Sequence, residues 1–408
     1  MHVPGWHEAS KKWQQEGKLQ VAGIIEEQHP DRARLFMQWK QMQWPVLVDS
    51  LNRLGVSAVP ITLAIDEFGV IRMVDPDPGE IEEKFLNQVF ERPASLPTVA
   101  ANAPSLETLK RAAQKGTVAA WTDYANALVE WGGANRATDA IQAYENALRI
   151  QPDSGPLHFR LGVAYRKRHD TEFHQPQDFQ RAVEEWSAAL QIDPNQYIWR
   201  RRIQQYGPRL DKPYSFYDWV TTARKDIAAR GEVPVPLSVE PSGAEFAFAE
   251  KSFAANSINV KEPDPQGRIV RDAGRFIKVE TAIVPNTRAQ EISERVHVVF
   301  RPNPANKTHW NNEAGNFVFW VSGPGGWDVS QHLTTITKPS QLVSTEPREV
   351  EFEVKGPDRS RAPAVTLRAY ALYYVCEDVN GVCMYRRQDV SISIAPPEMR
   401  RKDLVGPR

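Results

Sequence analysis

Four residues that recur together restrict this chain more than any other feature. Ala140, Tyr144, Ala147 and Pro152 return as Ala182, Trp186, Ala189 and Pro194, each offset by 42 residues (152 to 194, for example). Spacings of four and three put the alanines and the aromatic on one face of a helix. Small side chains there let a second helix approach, and the aromatic fills the groove between the two. Proline ends each helix after Ile150-Gln151 or Ile192-Asp193. A unit of this kind cannot bury its apolar face alone, so the pattern predicts stacked helix pairs.

The pattern resembles the second helix of tetratricopeptide repeats. The first helices match as well: Tyr124 and Trp131 stand at aromatic positions of one, and Leu161-Gly162-x-x-Tyr165 supplies the motif of the other. The family period is about 34 residues, and the excess is assigned to an inserted loop, Arg166 to Asp178. Asn195 to Arg230 reads as further helix broken at Gly207-Pro208. Its aromatics Tyr197, Trp199, Tyr206, Tyr214, Phe216, Tyr217 and Trp219 are expected to cap the array. Repeats and cap together span 116–232.

Upstream, helix and strand alternate. A helix from Gly5 to Gly17 precedes a buried strand, Leu19 to Ile25, and Asp31 is placed to cap a helix carrying Leu35, Phe36, Trp39 and Met42. Pro45 to Asp49 is a short strand. Val59 to Asp66 and Val70 to Val74 form two more about the turn Glu67-Phe68-Gly69, and Glu80 to Phe90 closes the segment as a helix.

This order, with Gly55-Val56 before Val59-Pro60-Ile61-Thr62 and with Ile65-Asp66-x-x-Gly69-x-Ile71, resembles the thioredoxin-like fold over residues 1–92, in its TlpA/ResA redoxin branch. The resemblance implies a cis-proline loop at Val59, Pro60 and Thr62. It also implies a Trp-Cys-x-x-Cys dithiol and a first core strand ahead of the first helix, and neither stands in this sequence. Either the start is late or the domain is a non-catalytic remnant; the exposed backbone that a lost central strand leaves on its neighbours favours the late start. A linker follows over 93–115, most evident from Pro93 to Pro104 in its Pro, Ala, Ser and Thr content.

From 235 to 397 the period changes to two. Phe276–Glu280, Val296–Phe300, Phe317–Val321, Val350–Val354 and Val365–Tyr374 alternate between Gly, Pro and Asn turns, which predicts a β-sandwich. The fold class expected is therefore multidomain: a truncated thioredoxin-like α/β unit, all-α repeats and an all-β sandwich.

The chain's two cysteines, Cys376 and Cys383, flank Asn380-Gly381 between the run ending at Tyr374 and a last strand, Val390 to Ile394. A loop from Asp378 to Gly381 sets the cysteines directly opposite and permits a cross-strand disulfide, whereas a two-residue loop offsets them. The segment resembles the N-terminal, immunoglobulin-like domain of the thiol:disulfide interchange protein DsbD. That resemblance implies that Cys376 and Cys383 are a catalytic redox pair and Tyr385 the aromatic beside it. The spacing is one residue longer than that family's, and Arg386-Arg387 replaces its prolines. Exposure of the hairpin beside these arginines would lower a thiol pKa and favour exchange. The bland reading is a structural disulfide in an oxidising compartment.

Charge narrows the partners. With 50 basic and 51 acidic residues the formal net charge is −1, which offers no field for nucleic acid. No run of 18 apolar residues predicts a membrane span, and the first residues lack an export signal. His169, His174, His297, His309 and His332 form no metal-ligand spacing, Gly323-Pro324-Gly325-Gly326 reads as a turn, and Arg200-Arg201-Arg202 beside Trp199 reads as a solvated helix face. Neither cofactor nor metal is expected. The function expected is thiol–disulfide exchange through Cys376 and Cys383, in which the thioredoxin-like part and the sandwich exchange electrons while the repeats hold them in reach; the partner expected is a thioredoxin-like redox protein. By resemblance the protein is periplasmic or extracytoplasmic. The other reading is a non-enzymatic adaptor whose repeats bind a peptide segment.

Overall fold

The computed structural model describes residues 2–96, 103–207, 219–239, 260–286, 291–358, 364–377 and 381–394. Pro208, Tyr214, Phe216 and Tyr217 of the expected cap, and Asp378 to Asn380 of the hairpin loop, lie outside them. The chain is a mixed assembly of helices and sheets that divides into two compact units. Unit 1 comprises Met1–His174, Glu184–Arg202 and Tyr214–Glu240, and unit 2 comprises Gln175–Val183, Ile203–Pro213 and Pro241–Arg408.

Unit 1 begins with α1 (His2–Gln15), β1 (Gly23–Ile25), α2 (Asp31–Lys40), β2 (Val46–Val48), β3 (Leu63–Ile65) and β4 (Ile71–Val74). The strands form two separate pairs, β1 with β2 parallel and β3 with β4 antiparallel. The turn between β3 and β4 explains its motif. Asp66 Oδ1 accepts from the amides of Phe68 and Val70, Oδ2 accepts from Arg72 Nε at 2.7 Å, and Gly69 takes a φ of +80° that side chains disfavour.

Two expectations are corrected here. Pro30, not Asp31, occupies the N-cap position of α2, with no side-chain capping hydrogen bond; Asp31 is the first helical residue, and its Oδ1 accepts from Arg32 N at 3.1 Å at the positive end of the helix. The helix expected over Glu80 to Phe90 is a 3₁₀ turn, Pro78–Glu80, followed by a π turn, Glu82–Leu86, in which Asn87 N donates to Glu82 O.

Trp13, Ala64, Ile81 and Phe85 form a small core under β3 and β4. The opposite faces stay open: the paired residues Ile24 and Leu47, Leu63 and Val74, and Ile65 and Ile71 are all exposed. α2 is covered instead by α9 (Trp219–Ala229), whose Val220, Ala223 and Ile227 close over Leu35. Trp39 stacks on Trp219 and donates to Asp226.

The helices are α3 (Leu106–Ala113), α4 (Val118–Trp131), α5 (Ala137–Ile150), α6 (Gly155–His169), α7 (Asp178–Ile192) and α8 (Tyr197–Gln204). α3 falls inside the stretch assigned to the linker, and Ser105 caps it by accepting from Thr108 N. α6 runs on to His169, which shortens the inserted loop. Every recurring side chain on α5 and α7 is buried: Ala140, Tyr144, Ala147, Ala182, Trp186 and Ala189 are each 0 % exposed. Their polar atoms are satisfied, since Tyr144 donates its hydroxyl to Asn126 at 2.7 Å and Trp186 donates Nε1 to the Phe159 carbonyl.

Unit 2 is built on two antiparallel sheets. One has the order β5 (Ile277–Pro285), β6 (Glu291–Pro302), β12 (Arg348–Asp358), β9 (Asp328–Val329). The other runs β10 (Leu333–Ile336), β8 (Phe317–Ser322), β13 (Val365–Glu377), β7 (Thr308–Asn311), β11 (Val343–Ser344), and β14 (Cys383–Ile394) pairs with β13. Alternate residues from both sheets meet in one core containing Val298, Phe300, Trp310, Phe317, Phe319, Phe352 and Tyr373. Burial of each aromatic contributes roughly 2–3 kcal/mol of transfer free energy.

Two measurements check this packing. Tyr144→Phe leaves the buried Asn126 oxygen unpartnered and is expected to cost about 1–3 kcal/mol in urea unfolding followed by helical ellipticity, whereas Trp131→Ala on an exposed face stays within about 0.5 kcal/mol. His29 supplies a pH signature. Its burial, with Arg166 and Arg202 acting the same way against Asp170, lowers its pKa from 6.5 to about 4. The folded protein keeps it neutral, so its contribution is complete above about pH 6.5 and is lost as pH falls towards 4, by an order of ~3 kcal/mol. His29→Asn should remove that part of the acid slope in unfolding midpoints.

Candidate functional site, the terminal hairpin

The register of β13 and β14 runs unbroken from Val365 opposite Ile394 to Cys376 opposite Cys383. Valine, tyrosine and alanine at 375, 373 and 371 fill the core, so Cys376 projects from the other face of the sheet. Direct opposition brings the two α-carbons to 4.0 Å, and the sulfurs are bonded. The amide of Glu377 donates to the Val382 carbonyl and draws the strands together beyond the bridge.

The two sulfur-bearing residues differ in exposure. Cys376 is 3 % exposed, while Cys383 is exposed. On its other edge Cys376 lies opposite His309 of β7, so Cys383, Cys376 and His309 form a row across three strands. Behind this row the rings of Tyr374 and Tyr385 stack at 4.5 Å. Burial pushes the Tyr385 phenol up, and the neighbouring Tyr374 and Asp264 act in the same sense.

The arginines after Met384 are engaged away from the sulfurs. Arg387 donates to Asp264 Oδ2 at 2.9 Å and to Asp389 Oδ1 at 2.7 Å, with its guanidinium over the Tyr370 ring. Arg386 lies over Phe276 and donates to Met384 Sδ. Nearer the tip, Arg275 pairs with Glu377 at 3.0 Å. The segment before β5 is anchored by Asp272, which accepts from the amides of Phe276 and Ile277 and from the Tyr373 hydroxyl. A disulfide in this setting presents one sulfur to an incoming thiolate, with the buried Cys376 sulfur as leaving group.

Of the residues singled out from sequence, Cys376, Cys383 and Tyr385 come together on this hairpin. Val59, Pro60 and Thr62 belong to unit 1, on the loop leading into β3. There the Val59-Pro60 bond is cis, Val59 is half exposed, and Thr62 exchanges hydrogen bonds with Asp75 through its amide and carbonyl. Tyr374 and Glu377 were not singled out, and His309 was weighed only as a metal ligand; the pairing of 374 with 385 follows from the register once the loop length is known.

Several of the histidines and arginines set aside on sequence have structural partners. His297 lies buried between Glu351 and the Tyr206 carbonyl, and with Arg295 it holds the Glu351 carboxyl well below its usual range against the opposing effect of burial. Arg202 is corrected from a solvated face to one of the largest fully buried side chains. Among the described residues no group of three or more His, Cys, Asp or Glu is arranged to hold a metal ion, and no helix is long and apolar enough to cross a membrane.

No protein-family model matches the chain, and no curated protein matches it. Among solved structures the chain is similar to the crystal structure of BslA, a bacterial hydrophobin, at 12% identity over 29% of this chain and 93% of that one, with a TM-score of 0.15; a superposition at that score supports no transfer of fold or activity.

Proposed function

We propose that this protein exchanges electrons with the thiols of a thioredoxin-like partner through Cys376 and Cys383. The observation that carries the reading is the asymmetry of the bond, with Cys383 open to solvent and Cys376 shielded within the sheet. A structural bridge gains nothing from an accessible sulfur, whereas exchange requires one.

In the oxidised protein a partner thiolate attacks Cys383 Sγ. The Cys376–Cys383 bond breaks, its electron pair leaves on Cys376, and a mixed disulfide forms. The partner's second thiolate then attacks the partner's own sulfur in that bond, releasing Cys383 as a thiolate and completing transfer of two electrons. The reverse sequence starts from the Cys383 thiolate and ends with Cys376 resolving the mixed disulfide. Tyr385, stacked on Tyr374, forms an apolar shoulder beside the open sulfur.

The finer fold assignments belong to the same reading. The order of elements and the Val59-Pro60 loop support a thioredoxin-like segment over 1–92, the buried residues of α5 and α7 support tetratricopeptide-like pairs, and the two packed sheets support an immunoglobulin-like sandwich. The disulfide supports an oxidising, extracytoplasmic compartment, where such bonds persist.

Single-cysteine variants test the chemistry. Cys376→Ser, which keeps the open Cys383, is expected to trap mixed disulfides with a thioredoxin-like protein on non-reducing gels, and Cys383→Ser is expected to trap none. Equal trapping by both, or by neither, rejects the exchange reading. A reduction potential below about −300 mV does so as well, and leaves an adaptor with a structural bridge. The double variant should lose about 2 kcal/mol of stability, the value for so short a closed loop.

A further inference from the structure

The two parallel strands of unit 1 end on acidic residues. Glu26 follows β1 directly and Asp49 follows β2, and the amide of Asp49 donates to the Ile25 carbonyl at 2.8 Å, so the two carboxyl groups leave the sheet side by side. Asp49 is already committed. Its Oδ1 accepts from Arg53 N at 2.8 Å and its Oδ2 from Leu54 N at 2.9 Å, which fixes it as the acceptor that holds the turn after β2.

Glu26 is the opposite case. Both of its carboxylate oxygens are shut off from water, and neither receives a hydrogen bond. Two carboxylates facing each other are acceptors without a donor, and such a pair is stable only when one carries a proton. Arg202 sits close by but is directed at the main chain: it donates to the carbonyls of Glu26 and Ser50 and to Gln28 Oε1.

We propose that Glu26 and Asp49 form an acid pair sharing a single proton, which joins the ends of β1 and β2 beneath Arg202 and loosens that joint when the proton is lost. This device is independent of the cysteines. Burial is the largest influence on Glu26, and Asp49 acts with it against Arg202, raising the Glu26 pKa to about 8. The remaining charged groups of the neighbourhood are held elsewhere. His29 and Arg166 group with Asp170, Glu27 pairs with Arg32, and Arg160 of α6 donates to the Leu51 carbonyl.

The sign follows from the direction of the shift. The folded chain holds a proton that the unfolded chain releases near the ordinary value of 4.5, so the stabilisation is complete below about pH 4.5 and declines as pH rises towards 8. This is opposite in sign to the His29 contribution, which is lost as pH falls.

Infrared spectroscopy of the full chain across pH 6 to 10, together with unfolding midpoints, tests the pair. The wild type should show a protonated carboxyl band at neutral pH that disappears with a midpoint near pH 8. Glu26→Gln, whose amide can donate to Asp49 at any pH, should lack that band and keep an unfolding midpoint that changes less with alkaline pH than the wild type does. Glu280, also raised by burial, contributes equally to both proteins and cancels in the difference. A wild type with no such band, a band undiminished in Glu26→Gln, or alkaline slopes that coincide in the two proteins overturns the proposal. If the variant fails to fold, the wild-type band alone decides, because its absence at neutral pH excludes the shared proton.

Discussion

The constraint on which unit 2 depends is the sharing of β13 between neighbours. One edge carries β14 along its whole length; the other carries β8 against Arg368–Leu372 and then β7 against Val375–Glu377. A strand paired on both edges cannot slip by one residue without turning Tyr373, Ala371 and Leu367 out of the core, since neighbouring side chains point to opposite faces. The position of Cys376 is therefore set by the aromatic core below it. That of Cys383 follows from a register fixed by the pairs between 365 and 375. The disulfide records this alignment and is not needed to impose it.

Unit 1 is organised differently, around buried polar anchors. Its strand pairs are short and have open faces, and a two-stranded ribbon of that length is marginal by itself. What holds these segments is helix. Leu35 and Trp39 of α2 are covered by α9, and Arg160 of α6 and Arg202 of α8 reach the main chain at the ends of β1 and β2. A buried arginine spent on carbonyl oxygens gains less than one paired with a carboxylate, but it fixes several backbone groups at once. The helices thus position the strand ends, and the stability of the strands is linked to theirs.

How much of this was legible in sequence depended on whether a residue's role was local. The 42-residue recurrence identified the side chains buried on α5 and α7, because small and aromatic residues at helical spacing have few other uses. The turn at Asp66 and Gly69 was equally readable, since both residues act within six positions of themselves. α3 was hidden by the Pro, Ala and Ser composition just before it, although Ser105 is a good cap. Strands β7, β9, β10 and β11 were missed because each has only two to four residues, too few for a period to emerge.

Roles set by long-range contact were not legible at all. Arg202 stands in a run of three arginines that by charge alone reads as solvated, and partners such as the carbonyls of Glu26 and Ser50, more than 150 residues away, make it a core residue. The same holds at the hairpin, where Arg387 belongs to Asp264 and Asp389 and leaves the sulfurs to their own exposure. In the proposed exchange, selectivity between the two sulfurs rests on access, since Cys383 is exposed and Cys376 buried. On that proposal the sheet that shields Cys376 sets where a thiolate attacks, and the β13 register that builds the core would orient the exchange as well.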